Sequence, residues 1–145
     1  MKTCMFIASG LLALILLVPA VSAQELPKAE MRQDVDYYVV SYTKFKHGMG
    51  DEAMRLIYDH FWPIDKAIGR KVIPFDAMTG EWDHIVYFLL SEGTGELAWK
   101  TSMTDEEWMS AFVSREGSFK QAQALLQRFD QLIADSKTEV VMTKW

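Results

Sequence analysis

Cysteine and asparagine are the two residue types that this sequence most conspicuously lacks. The single cysteine, Cys4, lies near the start of the chain, so no disulfide can form within one copy. Because asparagine is absent, there is no acceptor for N-glycosylation. The fold must therefore be held together by packing, without the cross-links that stabilise many small secreted modules.

Basic residues are also in deficit. Lysine and arginine together number 15 against 20 aspartates and glutamates, which gives a net charge of −5 at pH 7. The lysines and arginines form no cluster along the sequence. An acidic chain without a basic patch is poorly suited to phosphate backbones or anionic lipid surfaces. We therefore expect no nucleic-acid partner.

The long hydrophobic run of this chain lies at its N-terminus. Residues 1–23 combine Lys2, an apolar stretch that ends at Val18, and the tripeptide Val21-Ser22-Ala23, which is typical of a cleavage site. The layout predicts a secretory signal peptide. An uncleaved membrane anchor is the alternative, but the run is shorter than the roughly 20 residues that a spanning helix needs. We expect an exported protein, periplasmic or extracellular, with no membrane contact after cleavage.

The rest of the chain divides into a polar leader and one domain. Residues 24–36 are aperiodic and are predicted to be a flexible leader, whereas residues 37–145 have the length of a single domain. Runs of β-branched and aromatic residues predict four strands in this domain, at 37–45, 71–78, 82–90 and 138–145. Pro74 indicates that the second strand lies at a sheet edge, and Gly80 indicates a hairpin between the second and third.

Helical patterns separate these strands. Apolar residues at helical spacing follow Asp51, the expected N-cap, and Pro63 kinks or divides this helix. The pair Thr104 and Glu107 has the spacing of a capping box, and Ser118 begins a further helix with one apolar face. The intervening residues 91–103 are predicted to be a long connection that folds over a cavity as a lid.

The order of these elements predicts an α+β domain of the ferredoxin-like βαββαβ type. Such a domain has a four-stranded antiparallel sheet with its helices on one face. In the first and third predicted strands, both sets of alternating side chains are largely apolar. An uncovered apolar sheet face favours association, so we expect a homodimer in which the open face is covered.

Two segments carry a resemblance to a known superfamily. The sequence KFKHGMGDEAMRL leaves the first strand, and GEWDHIVYFLL forms the third. In this order they resemble the dimeric α/β-barrel superfamily, in particular small exported bacterial members of unknown function. The resemblance implies that the sheets of two copies face each other and that a pocket lies between each sheet and its helices or loops. It carries over no catalytic residue.

His84 is the principal candidate site residue. It opens the predicted third strand, and its ring can act as a general base or bind a ligand. A histidine that merely satisfies its hydrogen bonds at a strand end is the alternative. Its neighbour Asp83 points to the opposite face of a regular strand, so any partner of His84 must come from another strand. Tyr38, Tyr42 and Lys44 share one face of the first strand and are the predicted pocket neighbours.

The remaining aromatic and histidine residues give weaker indications. Trp99 lies in the predicted lid and is a candidate ligand contact, whereas most other aromatic residues are expected in the core or at the dimer interface. The three histidines have no metal-ligand spacing, so we predict no metal site. No cofactor is indicated, and no catalytic residue is assigned.

Three functional hypotheses follow from these patterns. The first is an exported protein that binds a small, partly apolar molecule between sheet and helices. The second is a monooxygenase-like enzyme in which His84 and a tyrosine transfer protons. The third is a structural or partner-binding dimer without a pocket.

Overall fold

A computed structural model describes residues 28–144 of the chain. Within the described residues, 32–144 form one compact unit, to which all of the elements below belong. The predicted signal peptide at 1–23 lies outside the described residues. No helix within the described part of the chain is long and apolar enough to cross a membrane.

The unit contains a four-stranded sheet in which every neighbouring pair is antiparallel. The strands lie in the order β2-β3-β1-β4. This order, with helices following β1 and β3, confirms the predicted ferredoxin-like α+β fold. The strands are β1 (Val35–Phe45), β2 (Val72–Asp76), β3 (His84–Leu89) and β4 (Ile133–Lys144).

Two strands, β1 and β4, begin earlier than predicted. β1 begins at Val35, inside the predicted leader 24–36, because Val35 and Asp36 pair with the far end of β4. β4 begins at Ile133 because its backbone becomes extended directly after the preceding helix, without an intervening loop. β4 is therefore longer than its apolar segment 138–145 indicated, and it accompanies β1 along its whole length. Pro74 lies in the edge strand β2, as predicted.

The segment after β1 is one continuous helical rod with three parts. α1 (Gly50–Leu56) passes into a π-helical turn (Ile57–Phe61), and this passes into α2 (Trp62–Ala67). Pro63 lies just after the π-helical turn, where it contributes no N–H to the helical hydrogen bonds. The predicted N-cap at Asp51 is wrong: the cap position lies two residues earlier, at Met49, which makes no side-chain hydrogen bond.

Two longer helices follow β3 and complete the layer. A short 3-10 helix (Gly93–Ala98) precedes α3 (Met103–Glu116), and α4 (Phe119–Leu132) leads into β4. The capping box of α3 is formed by Ser102 and Asp105 rather than by Thr104 and Glu107. Ser102 has the extended backbone that a cap requires, whereas Thr104 already lies within the first turn.

The helices pack on one face of the sheet in two connected clusters. In the first, Phe45 of β1 contacts Ala53 and Ile57 of the helical rod and Leu132 of α4. In the second, side chains of α2, α3 and α4 contact one another, with Phe112 completely buried between them. The Phe61 ring joins the clusters. Its centroid lies 5.3 Å from that of Phe129 and 5.5 Å from that of Phe112.

The antiparallel register assigns each sheet residue to a side. Thr43 lies opposite His84 and Ser41 opposite Val86, and these four residues belong to the helix-side face. Tyr42 lies opposite Ile85 and Val40 opposite Tyr87. These alternate residues form the other face, which we call the open face.

Candidate functional site

A partly open pocket of about 140 Å³ lies between the helix-side face and the helical layer. Its floor is the sheet and its walls come from the helical rod and α4. Most of its lining atoms are apolar, and its polar side chains are those of Ser41, Thr43, Asp65 and His84. The apolar lining residues are Ile57, Phe61, Trp62, Val72, Pro74, Val86, Phe88 and Phe129.

His84 is almost fully buried in this pocket, with 3% of its surface exposed. Its Nδ1 lies 2.8 Å from Oδ1 of Asp76, the residue opposite it in the β2–β3 hairpin. The other oxygen of Asp76 accepts a hydrogen bond of 3.0 Å from the Tyr58 hydroxyl. Burial, and then the contact with Asp76, raises the pKa of Tyr58. Tyr58, Asp76 and His84 thus form a hydrogen-bonded chain from the π-helical turn to the pocket.

Asp65 of α2 is the second buried ionisable group of the pocket. It is 8% exposed, and its Oδ1 has no hydrogen-bond partner. Burial raises the pKa of Asp65 to about 6, although Arg70 and Trp108 both act to lower it. Arg70 Nη1 approaches Oδ1 to 3.9 Å only, because the same guanidinium pairs with Asp105 at 3.2 Å and stacks on Phe88 at 4.7 Å. An orphaned carboxylate oxygen in an apolar cavity is costly, so it marks a functional-site candidate.

The structure separates His84 from three of its predicted neighbours. Tyr38, Tyr42 and Lys44 lie on the open face of β1, whereas His84 lies on the helix-side face. They therefore do not share a pocket with His84 in one copy of the chain. Tyr42 instead contacts Trp82 at 5.9 Å between ring centroids, and the Lys137 ammonium lies 5.5 Å from its ring. Burial raises the pKa of Tyr42, and the neighbouring Glu139 adds to the effect.

Trp99 lies apart from the His84 pocket. The connection that carries it contains the 3-10 helix described above, and its side chain is 60% exposed. It lines a separate cleft of about 380 Å³ together with Arg70, Glu96 and Asp105. Whether the connection acts as a lid stays a prediction.

Two further histidines lie away from the pocket. His47 is exposed after β1. His60 lies on the π-helical turn, where its Nδ1 is 2.9 Å from a carboxylate oxygen of Glu116 in α3. Within residues 28–144, no group of three histidine, cysteine, aspartate or glutamate side chains is placed to hold a metal ion.

Sequence reasoning missed Asp65, Asp76 and Tyr58. The signal for Asp76 was present, because a hairpin centred on Gly80 places residue 76 opposite residue 84. Tyr58 and Asp65 carried no comparable signal. Their positions depend on the π-helical turn, which no sequence feature indicated.

Comparisons with known proteins support the fold. No protein-family model and no curated protein matches the sequence. Among solved structures, the chain is similar to a NIPSNAP family protein of unknown function from Agrobacterium tumefaciens. The two are 14% identical with a TM-score of 0.53, and the match covers 78% of this chain and 92% of the other.

Two further solved structures are less similar to the chain. One is a NIPSNAP domain protein from Burkholderia xenovorans, with 13% identity, a TM-score of 0.42, and coverage of 73% of this chain and 91% of the other. The other is a dimeric ferredoxin-like protein of unknown function from Thermobifida fusca, with 11% identity, a TM-score of 0.41, and coverage of 83% and 100%. At these similarities neither bears on activity or assembly. The strand order β2-β3-β1-β4 is that of the ferredoxin-like fold expected from the resemblance to the dimeric α/β-barrel superfamily.

Proposed function

We propose that this protein binds a small, partly apolar molecule in the pocket between its sheet and its helices. The observation that carries the proposal is the presence of two ionisable groups, His84 and Asp65, in a cavity whose lining is mostly apolar. Neither residue is needed to fill that space, and an apolar side chain would cost less there. Polar groups kept in an apolar pocket are the usual means of orienting a ligand.

The volume of the pocket limits the size of this ligand. At about 140 Å³, it is close to an engineered cavity of about 150 Å³ in another protein that accepts benzene. It is smaller than the roughly 300 Å³ or more of pockets for drug-sized ligands. A single ring, or a chain of similar bulk, is therefore the largest guest that fits without rearrangement.

Export is part of the same proposal. The signal-peptide layout of residues 1–23 supports delivery to the periplasm or the exterior, where a binding protein meets molecules that enter from the surroundings. N-terminal sequencing of the protein isolated from its native host tests this step. A mature N-terminus at Gln24 is expected, and retention of residues 1–23 would contradict it.

Native mass spectrometry of freshly purified protein tests ligand binding directly. We expect an additional mass that is lost on mild activation, and its absence from His84→Ala. Because His84 is buried and bonded to Asp76, its truncation should lower the melting temperature, so the comparison is made at a temperature where the variant is folded by circular dichroism. Glu81→Gln, an exposed change in the same hairpin, is the matched control and should retain the added mass. If folded His84→Ala retains the added mass, His84 has no binding role.

An enzyme that transfers protons is the second candidate, and one observation favours it. The chain from Tyr58 through Asp76 to His84 provides a base and a residue that orients it, the arrangement on which general acid–base catalysis depends. The tyrosine is Tyr58, not Tyr38 or Tyr42. Conversion of the co-purified molecule by the wild-type protein, with a large loss in Asp76→Asn, would favour catalysis. Unchanged release of the molecule would favour binding alone.

We further propose that two copies associate through their open faces. An aromatic ladder crosses this face from Phe75 to Tyr87 to Tyr38, with ring centroids 5.6 and 6.1 Å apart. At its edge, Phe75 is 51% exposed and Ile73 is 45% exposed. Such a surface is typical of an interface rather than of a solvated sheet.

Sedimentation velocity at micromolar concentration tests this association. The wild-type protein should sediment as a dimer and Phe75→Glu as a monomer, because a carboxylate would be buried against an apolar partner surface. Met78→Glu, an exposed residue beyond the end of β2, is the control. A wild-type monomer would refute the proposal.

A further inference from the structure

The contact with Asp76 determines which ring nitrogen of His84 donates a hydrogen bond and which accepts one. An ionised carboxylate can only accept hydrogen bonds, so Nδ1 must donate its proton across the 2.8 Å contact. In the neutral imidazole the other ring nitrogen, Nε2, then carries a lone pair and no proton. Because Tyr58 also donates to Asp76, the carboxylate is held by two donors. His84 therefore offers an acceptor to a ligand in the pocket.

The Asp65 carboxylate can likewise only accept hydrogen bonds. Once ionised it has no proton to donate, and its Oδ1 lacks a partner. The nearest cation, Arg70, is occupied by Asp105 and by the Phe88 ring. Oδ1 of Asp65 is fully buried, so Asp65 acts on a ligand through its negative charge, and His84 is the acceptor available for a hydrogen bond.

The walls of the pocket indicate the shape and the charge of the ligand. They include the rings of Phe61, Trp62, Phe88 and Phe129, which favour a flat aromatic guest through ring contacts as well as through burial. An anionic guest would meet the Asp65 carboxylate in a poorly solvated site, and such like-charge contacts are unfavourable.

We propose that the pocket ligand is a single-ring aromatic molecule whose hydroxyl or amino group donates a hydrogen bond to Nε2 of His84. This inference rests on the proposed binding function. It adds the chemical class of the ligand: a neutral phenol-like or aniline-like compound rather than an aromatic acid or a plain hydrocarbon.

Three probe molecules of similar size test separately the need for a ring, for a hydrogen-bond donor and for the absence of negative charge. Phenol carries a donor, fluorobenzene has the ring without a donor, and benzoate carries a negative charge. Their binding to the wild-type protein can be followed at pH 8 by ligand-observed NMR and titration calorimetry. We expect phenol to bind at least about tenfold more tightly than fluorobenzene, the effect of one good hydrogen bond. Benzoate should bind more weakly than either.

The outcomes distinguish this inference from the function on which it rests. Equal affinity for phenol and fluorobenzene would overturn the donor requirement while leaving an apolar binding pocket intact. Tighter binding of benzoate would overturn the assignment of the ionisable groups in the pocket as hydrogen-bond acceptors. If none of the three ring probes binds, both the ligand class and the proposed pocket function fail.

Asp76→Asn tests the role of Asp76 in positioning the His84 proton. An asparagine amide can donate to Nδ1, which allows the proton to move to Nε2 and turns that nitrogen into a donor. The preference for phenol over fluorobenzene should then fall several-fold, while the affinity for fluorobenzene itself stays unchanged. Glu81→Gln should keep the full preference. An unchanged preference in Asp76→Asn would overturn the assignment of His84 as the acceptor, and the wild-type comparison stands even if that variant folds poorly.

Discussion

Replacement of the buried carboxyl of Asp65 by an amide should stabilise the protein at neutral and alkaline pH. The carboxylate lies in an apolar cavity with one oxygen unpartnered, and burial raises its pKa from 3.8 to about 6. Asparagine has nearly the same shape but carries no charge. Asp65→Asn therefore removes the cost of burying that charge while it leaves the surrounding side chains in place.

The size and sign of the effect follow from the pKa shift. Each pKa unit corresponds to about 1.4 kcal/mol, so a shift of roughly two units corresponds to about 3 kcal/mol. Because the folded state holds the proton more tightly, the stabilising contribution of protonated Asp65 is fully present below pH 3.8. It is lost as the pH rises through about 6. Wild-type and Asp65→Asn stabilities should thus be similar near pH 4 and differ by about 2–3 kcal/mol at pH 8.

Urea unfolding at a series of pH values measures this difference directly. Glu52 and Glu139 have lowered pKa values, mainly because of hydrogen bonds with Arg128 and Lys137, and they impose the opposite pH dependence on both proteins. The difference between the two proteins removes that background. Asp59→Asn, an exposed change in the neighbouring π-helical turn, should show no such pH-dependent gain. A pH-independent difference, or an Asp65 carboxyl that titrates near 4 by NMR, would refute the reasoning.

Two further predictions concern the helix ends. Gly117 follows α3 with φ of 86°, so Gly117→Ala should lower stability by about 1 kcal/mol, measured as a lower melting temperature, whereas Gly95→Ala, with ordinary φ and open space, should not. Ser102→Ala should cost about 1 kcal/mol in urea unfolding by removing the cap of α3, while Thr104→Ala, at the cap position expected from the sequence, should cost less. Equal costs within either pair would contradict these assignments.

The fold was predictable because alternation, turn residues and element order all indicate the same topology. Residues such as Pro74 and Gly80 fixed an edge strand and a hairpin, and the structure has both. The boundaries of β1 and β4 were harder to predict from the sequence. Each extension is held by pairing with the neighbouring strand rather than by local preference: residues 35–36 pair with residues 143–144, and residues 133–137 pair with residues 42–45.

The site was only partly predictable, for two physical reasons. Both faces of β1 and β3 are rich in apolar residues, so the sequence pattern did not show which face meets the helices. Tyr38, Tyr42 and Lys44 were therefore grouped with His84 although they lie on the other side of the sheet. Asp65 and Tyr58 depend on helix geometry, which deviates from 3.6 residues per turn at residues 57–61.

The π-helical turn determines how the residues after it are rotated about the axis of the rod, and hence whether Asp65 faces the pocket. The N–H of Trp62 bonds to the carbonyl of Ile57, five residues earlier, so the rod accommodates one residue more than an α-helix would over this stretch. Deleting one residue there would remove the extra residue of the π-helical turn and rotate everything after it by about 100° about the axis of the rod. Asp65 would then turn away from the cavity. The presence of one additional residue in the turn thus decides whether the rod places the Asp65 carboxylate at the pocket.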